Sequence, residues 1–213
     1  MIVKWLGHAS FLIKALEKTI YIDPYAGDYE EKADIILITH GHGDHCDPEK
    51  IAAVRGEDTL IVTSLDCARS MQGNIISMSL GDKRELQGVE IEAVEAYNLK
   101  RFRSPGVPFH PKETQIAFII SAENKRVYHA GDTDFIPEMN RLKAKKIDLA
   151  LIPSGGTYTM DVEEAIEATV AINPKLVIPI HRRDASVEEF KKQVEAKSSV
   201  KVLAIAEGDD VDL

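Results

Sequence analysis

Thr39-His40-Gly41-His42-Gly43-Asp44-His45 sets three imidazoles and a carboxylate within six residues, directly after the apolar run Ile35-Ile36-Leu37-Ile38. On regular secondary structure, side chains one residue apart point away from each other, so donors at 40, 42, 44 and 45 converge only on an irregular loop. Gly41 and Gly43 are read as the residues that permit it. A neutral imidazole binds through one ring nitrogen and an aspartate through hard oxygens, a set that suits zinc, manganese or iron rather than calcium or magnesium. A loop needing only solubility has no use for this composition, and the stretch is read as a metal site that follows a strand.

With 213 residues and 44% hydrophobic content, the chain is long enough for one sizeable core and is read as a single domain over residues 1–213. No stretch reaches the ~20 apolar residues of a membrane span, and no linker or low-complexity tract divides the chain. Met1-Ile2-Val3-Lys4-Trp5-Leu6-Gly7-His8 reads as a strand and a turn, without the apolar core of a secretory signal, so the expected location is cytoplasmic. Cys46 and Cys67 are too few for a disulfide framework. Cys46, although beside the His-rich loop, is read as a small buried hydrophobe.

The 35 acids against 26 bases, a formal charge of -9, argue against a nucleic-acid surface, which needs clustered Lys and Arg. The bases are unevenly spread. Lys100, Arg101, Arg103 and Lys112 fall in one segment, and Arg182-Arg183 follow His181. If both segments flank the metal, they make a local positive field that draws a small anionic substrate; ordinary solvated charge is the other reading. The expected partner is such a small molecule, and a homo-oligomer is compatible with the sequence.

Short β-branched runs predict strands near 2–5, 10–14, 19–23, 35–39, 59–63, 74–78, 89–96, 115–121, 126–130, 148–152, 176–180 and 201–205. Helices are expected after the capping residues Asp47 (with Pro48), Asp161 (with Glu164) and Ser186 (with Glu189), and near 65–71 and 135–145. One internal echo stands out: 33–39 recurs as 147–153, an offset of 114 that continues through both following loops to Asp47 and Asp161. Two similar halves, each strand, loop, helix and strand, predict an α/β chain of two packed sheets with helices outside. At the positions of His40, His42, Asp44 and His45 the second loop carries Ser154, Gly156, Tyr158 and Thr159, so it is read as a metal-free substrate cradle.

The chain resembles the metallo-β-lactamase superfamily, whose HxHxDH signature corresponds to His40–His45. Further matches are the strand ending Tyr21-Ile22-Asp23, the segment Tyr128-His129-Ala130-Gly131-Asp132-Thr133-Asp134 and the strand ending Pro179-Ile180-His181. Trp5-Leu6-Gly7-His8-Ala9-Ser10 and Gly155-Gly156-Thr157-Tyr158-Thr159-Met160 look like the small metal-dependent hydrolases near the ascorbate-phosphate lactonases and N-acylphosphatidylethanolamine phospholipase D enzymes. The resemblance implies a four-layer αββα sandwich (α+β) with a dinuclear site at one edge of the sheets. It assigns His40 and His42 to the first metal, Asp44, His45 and His181 to the second, and Asp132 to both. The common pattern has a further His after the strand that ends here near Ala96; Asn98 occupies that neighbourhood, and His110, twelve residues later, is taken as the third ligand of the first metal.

Asp23 is expected to orient the ligand loop through hydrogen bonds. His8 is a candidate proton donor or substrate contact, His129 is read as structural, and Asp44 is a candidate proton acceptor as well as a ligand. Two divalent ions, zinc first and manganese or iron next, imply a metal-bridging hydroxide that hydrolyses a small anionic ester, lactone or phosphodiester. No nucleophile elbow is present. Tyr158 and the backbone N–H groups of Gly155 and Gly156 are read as donors to developing negative charge. The length of residues 97–114 without apolar periodicity, the Ser104-Pro105-Gly106 turn and the basic residues suggest a mobile lid over the metals. Two alternatives stay open: an iron-dependent oxidoreductase on the same fold, against which His42 speaks, and a metal-dependent ligand-binding protein without turnover.

Overall fold

The computed structural model describes residues 1–213 and gives the internal echo a three-dimensional form. The strands in chain order are β1 (Ile2–Gly7), β2 (Ser10–Ala15), β3 (Lys18–Ile22), β4 (Ala33–Ile38), β5 (Arg55–Ser64), β6 (Asn74–Met78), β7 (Lys83–Leu86) and β8 (Val89–Val94). They continue with β9 (Phe102–Ser104), β10 (Val107–Pro108), β11 (Ala117–Ala122), β12 (Lys125–His129), β13 (Leu149–Pro153), β14 (Leu176–Ile180), β15 (Lys201–Val202) and β16 (Asp210–Asp212). The α-helices are α1 (Pro48–Val54), α2 (Leu65–Ala68), α3 (Val162–Ile172) and α4 (Val187–Lys197). Asp47, Asp161 and Ser186 cap α1, α3 and α4 with their side chains, as their positions in the sequence predict.

One seven-stranded sheet runs β16-β1-β2-β3-β4-β5-β6 and the other β7-β8-β11-β12-β13-β14-β15. In each, the first four strands are antiparallel and the last four parallel, so the two halves share one topology. Inner-face residues such as Phe11, Ile22 and Leu37 meet Phe118, Ile120 and Leu151 in one core between the sheets. On the outer faces, Ile51 and Val54 of α1 pack on one sheet, and Ala165, Ile172, Phe190 and Val194 of α3 and α4 on the other. The result is the αββα sandwich, and no helix is long and apolar enough to cross a membrane.

Three details differ from the sequence reading. The helix expected near 135–145 is a 3-10 helix, Pro137–Lys145. The reason is its apolar spacing: Ile136, Met139 and Leu142 recur every three residues and are all buried, which suits three residues per turn. Strands β7, β9, β10 and β16 escaped prediction because they are short and mostly exposed, with little apolar alternation. The segment read as a lid carries the β9–β10 hairpin, for which no strands were expected.

The register also explains His129. It pairs with Phe118 as Ile22 pairs with Phe11, so it sits at an inner-face core position. Its Nε2–H donates to the carbonyl of Ala9 at 2.8 Å and its Nδ1 accepts from the Gly131 N–H at 3.2 Å. Both nitrogens of a neutral ring are thereby satisfied, and burial holds the group below its ordinary pKa. The parallel strands of both sheets present their carboxyl ends to one edge of the sandwich, where sheet topology of this kind places ligands.

Candidate metal centre

Asp23 follows β3 with φ 45°, in the left-handed region, as are His8 (φ 50°) and His181 (φ 48°) at the same edge. Fully buried, it accepts from the Thr39 N–H and Oγ1–H and from His45 Nδ1–H, each at 2.7 Å. Asp23 thus orients His45 and leaves Nε2 to face the site. The one hydroxyl proton of Thr39 is spent on Asp23, so its oxygen accepts from His40 Nδ1–H at 3.0 Å. The lone pair of His40 Nε2 consequently faces outward.

His110 is fixed by a longer chain of the same logic. Asn98 Nδ2 donates to Asp134 Oδ1 at 3.1 Å and to the Tyr158 carbonyl at 3.0 Å, both of them acceptors. That orientation turns Asn98 Oδ1 toward His110, where it accepts the backbone N–H at 2.9 Å and Nδ1–H at 2.8 Å. His110 Nε2 is therefore unprotonated too. His40 Nε2 and His110 Nε2 each lie 3.1 Å from His42 Nδ1. One ring proton on His42 cannot bridge both contacts. Burial depresses the basicity of His40 and His42 and takes His110 down to about 4, so three neutral imidazoles converge. Tetrahedral zinc, with Zn–N of about 2.0–2.1 Å, sets its ligand nitrogens roughly 3.3 Å apart, and this trio fits it.

A second cluster joins His8, Asp44, His45 and His181. His45 Nε2 lies 3.2 Å from Asp132 Oδ1, and His181 Nε2 lies 3.4 Å from Asp132 Oδ2 and 3.6 Å from Asp44 Oδ2. Asp132 Oδ2 is also 3.5 Å from His110 Nε2, so one carboxylate faces both clusters. His45 Nε2, Asp132 Oδ1 and His181 Nε2 are buried and make no hydrogen bond. Buried polar atoms left without a partner cost free energy, and this set of imidazole nitrogens and carboxylate oxygens fits divalent metal ligation, in which a cation would displace any proton on the ring nitrogens. Burial alone would lower the basicity of His45; the carboxylates of Asp132 and Asp23 overcome it and raise the group well above its ordinary range.

Other sequence expectations are corrected by geometry. Gly41 and Gly43 do not adopt positive φ, so the loop does not need them for backbone freedom. A Cβ at Gly43 would meet nothing within 4 Å, and one at Gly41 only Cys67 Sγ at 3.9 Å, so close packing does not demand them either. The Gly156 N–H already donates to the Met160 carbonyl at 3.0 Å and is not free for an anion. Gly155 is demanded by close packing, because a Cβ there would stand 2.3 Å from the His181 carbonyl oxygen. Burial opposes ionisation of Asp44, but contacts from His181 and His8 outweigh it and hold the carboxyl far below the usual range, so it faces the site as a carboxylate.

The positive field is narrower than the sequence suggested. Lys100 pairs with Glu164 at 2.7 Å, Arg101 with Asp134 at 2.8 Å and also with Glu164, and Lys112 with Glu138 at 3.3 Å. Arg101 and Asp134 anchor the base of the β9–β10 hairpin. Tyr158 is 37% exposed at the mouth, its ring edge-on to Phe109 with centroids 4.8 Å apart. Cys46 and Cys67 belong to a hydrophobic cluster and to no group of metal donors.

Asn98 is the residue whose task the sequence reading missed. Its signal was only its place, two residues beyond Ala96 where a ligand was sought. Asn98→Leu keeps the volume and removes both the pinned amide and the tautomer it enforces. Metal affinity should fall roughly tenfold to a hundredfold, the usual cost of losing a hydrogen-bond partner behind a ligand. Competition with a chromogenic chelator measures it, and an unchanged Kd would refute the role.

Residues 2–181 match the family model described as the β-lactamase superfamily domain. A UPF0173 metal-dependent hydrolase of Pelotomaculum thermopropionicum is 34% identical over 233 residues, covering 100% of both chains. Among solved structures, a protein of Parabacteroides distasonis is 35% identical with a TM-score of 0.86, covering 94% of this chain and 90% of its own. Igni18, a metallo hydrolase of Ignicoccus hospitalis, is 27% identical with a TM-score of 0.79, covering 99% of this chain and 97% of its own. With the signature loop, the two-sheet sandwich and its donor clusters in place, these likenesses show that the chain belongs to the β-lactamase superfamily and, within it, to the UPF0173 metal-dependent hydrolases.

Proposed function

We propose that this protein hydrolyses a small anionic ester, lactone or phosphodiester with about two divalent ions bound per chain, zinc first and manganese or iron next. The observation that carries the reading is Asp132, whose two carboxylate oxygens face His45 on one side and His110 and His181 on the other. In this assignment His40, His42 and His110 hold one ion, Asp44, His45 and His181 the other, and Asp132 both. When bound, such a pair lowers the pKa of coordinated water and polarises the scissile group.

The chain's own residues do the rest. Thr39, Asp23 and Asn98 engage the Nδ1–H of His40, His45 and His110 and so turn the Nε2 of each ring toward the site. His8, whose Nε2–H donates to Asp44 at 3.2 Å and whose side chain is a quarter exposed, is placed to carry a proton between the site and solvent, beside the Asp44 carboxylate as proton acceptor. The Tyr158 hydroxyl, at the mouth and with no protein partner, donates to the charge that develops on the substrate oxygen.

The test is turnover of a panel of 4-nitrophenyl esters, γ-lactones and bis(4-nitrophenyl) phosphate by protein loaded with zinc or manganese. Activity that chelator removes and metal restores supports the reading; no turnover across the panel, with full metal content, favours the ligand-binding alternative. Tyr158→Phe should retain metal and fold yet lose roughly a hundredfold to a thousandfold in kcat, as for other donors to an oxyanion. Normal turnover by that variant removes Tyr158 from the mechanism.

A further inference from the structure

Beside the His40, His42 and His110 trio opens a cleft of about 380 Å³, walled by Val107, Phe109 and Arg103 of the hairpin segment. Side chains alternate along a strand, so Arg103 turns into the cleft while Phe102 and Ser104 turn away. Among the four cations between 100 and 112, Arg103 is the one with no carboxylate partner, in a chain where acids outnumber bases 35 to 26. All five of its N–H donors are left to solvent or ligand. Its guanidinium sits 5.8 Å from the centroid of the Phe109 ring.

That contact is the first rung of a ladder. Phe109 meets Tyr158 edge-on at 4.8 Å, and Arg183, also without a carboxylate partner, sits 5.7 Å from the Tyr158 ring. Arg183 in turn lies against Gly155, where a Cβ would come within 3.2 Å of its side chain. Two guanidinium groups without carboxylate partners therefore flank two adjoining aromatic rings, in a row that starts in the cleft and runs out to Arg183. The only acid lining the cleft, Asp66, faces Arg69 at 3.3 Å.

We propose that this ladder is the substrate's recognition subsite: Arg103 clamps a carboxylate or phosphate that is separate from the scissile bond, while an apolar or aromatic body lies against Phe109 and Val107. The substrate class is thus an oxyanion joined through an apolar body to the hydrolysable group. A guanidinium fork matches either oxyanion bidentately, and the aromatic face beneath it holds the fork in place. This specificity rests on the hydrolase reading only for the identity of the reacting bond; the binding itself is independent of turnover.

The experiment is calorimetric titration of zinc-loaded protein with 4-phenylbutyrate, 3-phenylpropyl phosphate and the neutral isostere 4-phenylbutanamide. The wild type should bind at least one anion roughly tenfold to a hundredfold more tightly than the amide, the range of a charge-assisted hydrogen bond. Arg103→Gln should erase most of that preference with metal content and Tm unchanged, Arg103→Lys should retain part of it, and Arg183→Gln should weaken it less. The anion that loses more on Arg103→Gln is the one the site selects. An anion that merely coordinates the metals would keep its preference in Arg103→Gln, and that result, or no preference in the wild type, overturns the proposal. An Arg103-dependent preference in protein that turns over no ester, lactone or phosphodiester leaves the subsite standing and removes the hydrolase reading alone.

Discussion

Replacing Asp132 with alanine is expected to lower metal content from about two ions per chain to one or fewer and to abolish turnover. No other side chain faces both donor clusters, and both of its oxygens lie within 3.5 Å of ligand nitrogens. Its loss would leave His45 and His181 as neighbouring imidazoles without the carboxylate that draws a cation between them. Elemental analysis of protein dialysed against limiting zinc reads the effect directly. Thermal unfolding reads it again: zinc a thousandfold above Kd stabilises a binding protein by about 4 kcal/mol, or roughly 8–16 °C in a chain of this size. The wild type should show that rise and Asp132→Ala little of it. Two ions retained in the variant would refute the bridging assignment.

The second large effect is expected at Asp23, which touches no metal in this assignment. Asp23→Ala strips the acceptor from three buried donors, Thr39 N–H, Thr39 Oγ1–H and His45 Nδ1–H. It also asks alanine to hold a φ of 45°, a region that aspartate tolerates better. Breaking a buried charged pair on one side costs about 3–5 kcal/mol. Denaturant unfolding of metal-free protein should show a loss of this order, with zinc affinity lower by roughly tenfold to a hundredfold. Asp23→Asn keeps the left-handed backbone and an oxygen for Thr39 but offers an N–H where His45 also donates, so it should recover stability in part. A variant as stable as the wild type would mean that the loop is held by its β4 strand alone.

The candidate metal donors were the most legible part of this chain because the demands of ligation are chemical and local. His40, His42, Asp44 and His45 lie in one loop, and few other tasks need that set of atoms at that spacing. The repeated order of strand, loop and capped helix was legible for a similar reason: a buried parallel strand needs a continuous apolar run and a helix needs its first N–H groups capped, both within a few residues. Edge strands such as β16, Asp210–Asp212, carry neither demand and left no such trace.

By itself, then, the sequence determined the residue types of the metal site, the two-half sandwich and the superfamily to which they belong. Only the tertiary structure decided which polar groups are already satisfied. Lys100, Arg101 and Lys112 look in sequence like Arg103, yet their carboxylates come from residues 26 to 64 positions away. Asn98 became a determinant of the His110 tautomer because the fold surrounded its amide with a carboxylate, a carbonyl and a ring N–H, and Gly156 lost its anion-binding role to a carbonyl four residues on. Ligand identity is a property of a side chain and can be read one residue at a time; a free charge or a free donor is a property of its neighbours, and neighbours are assigned by folding.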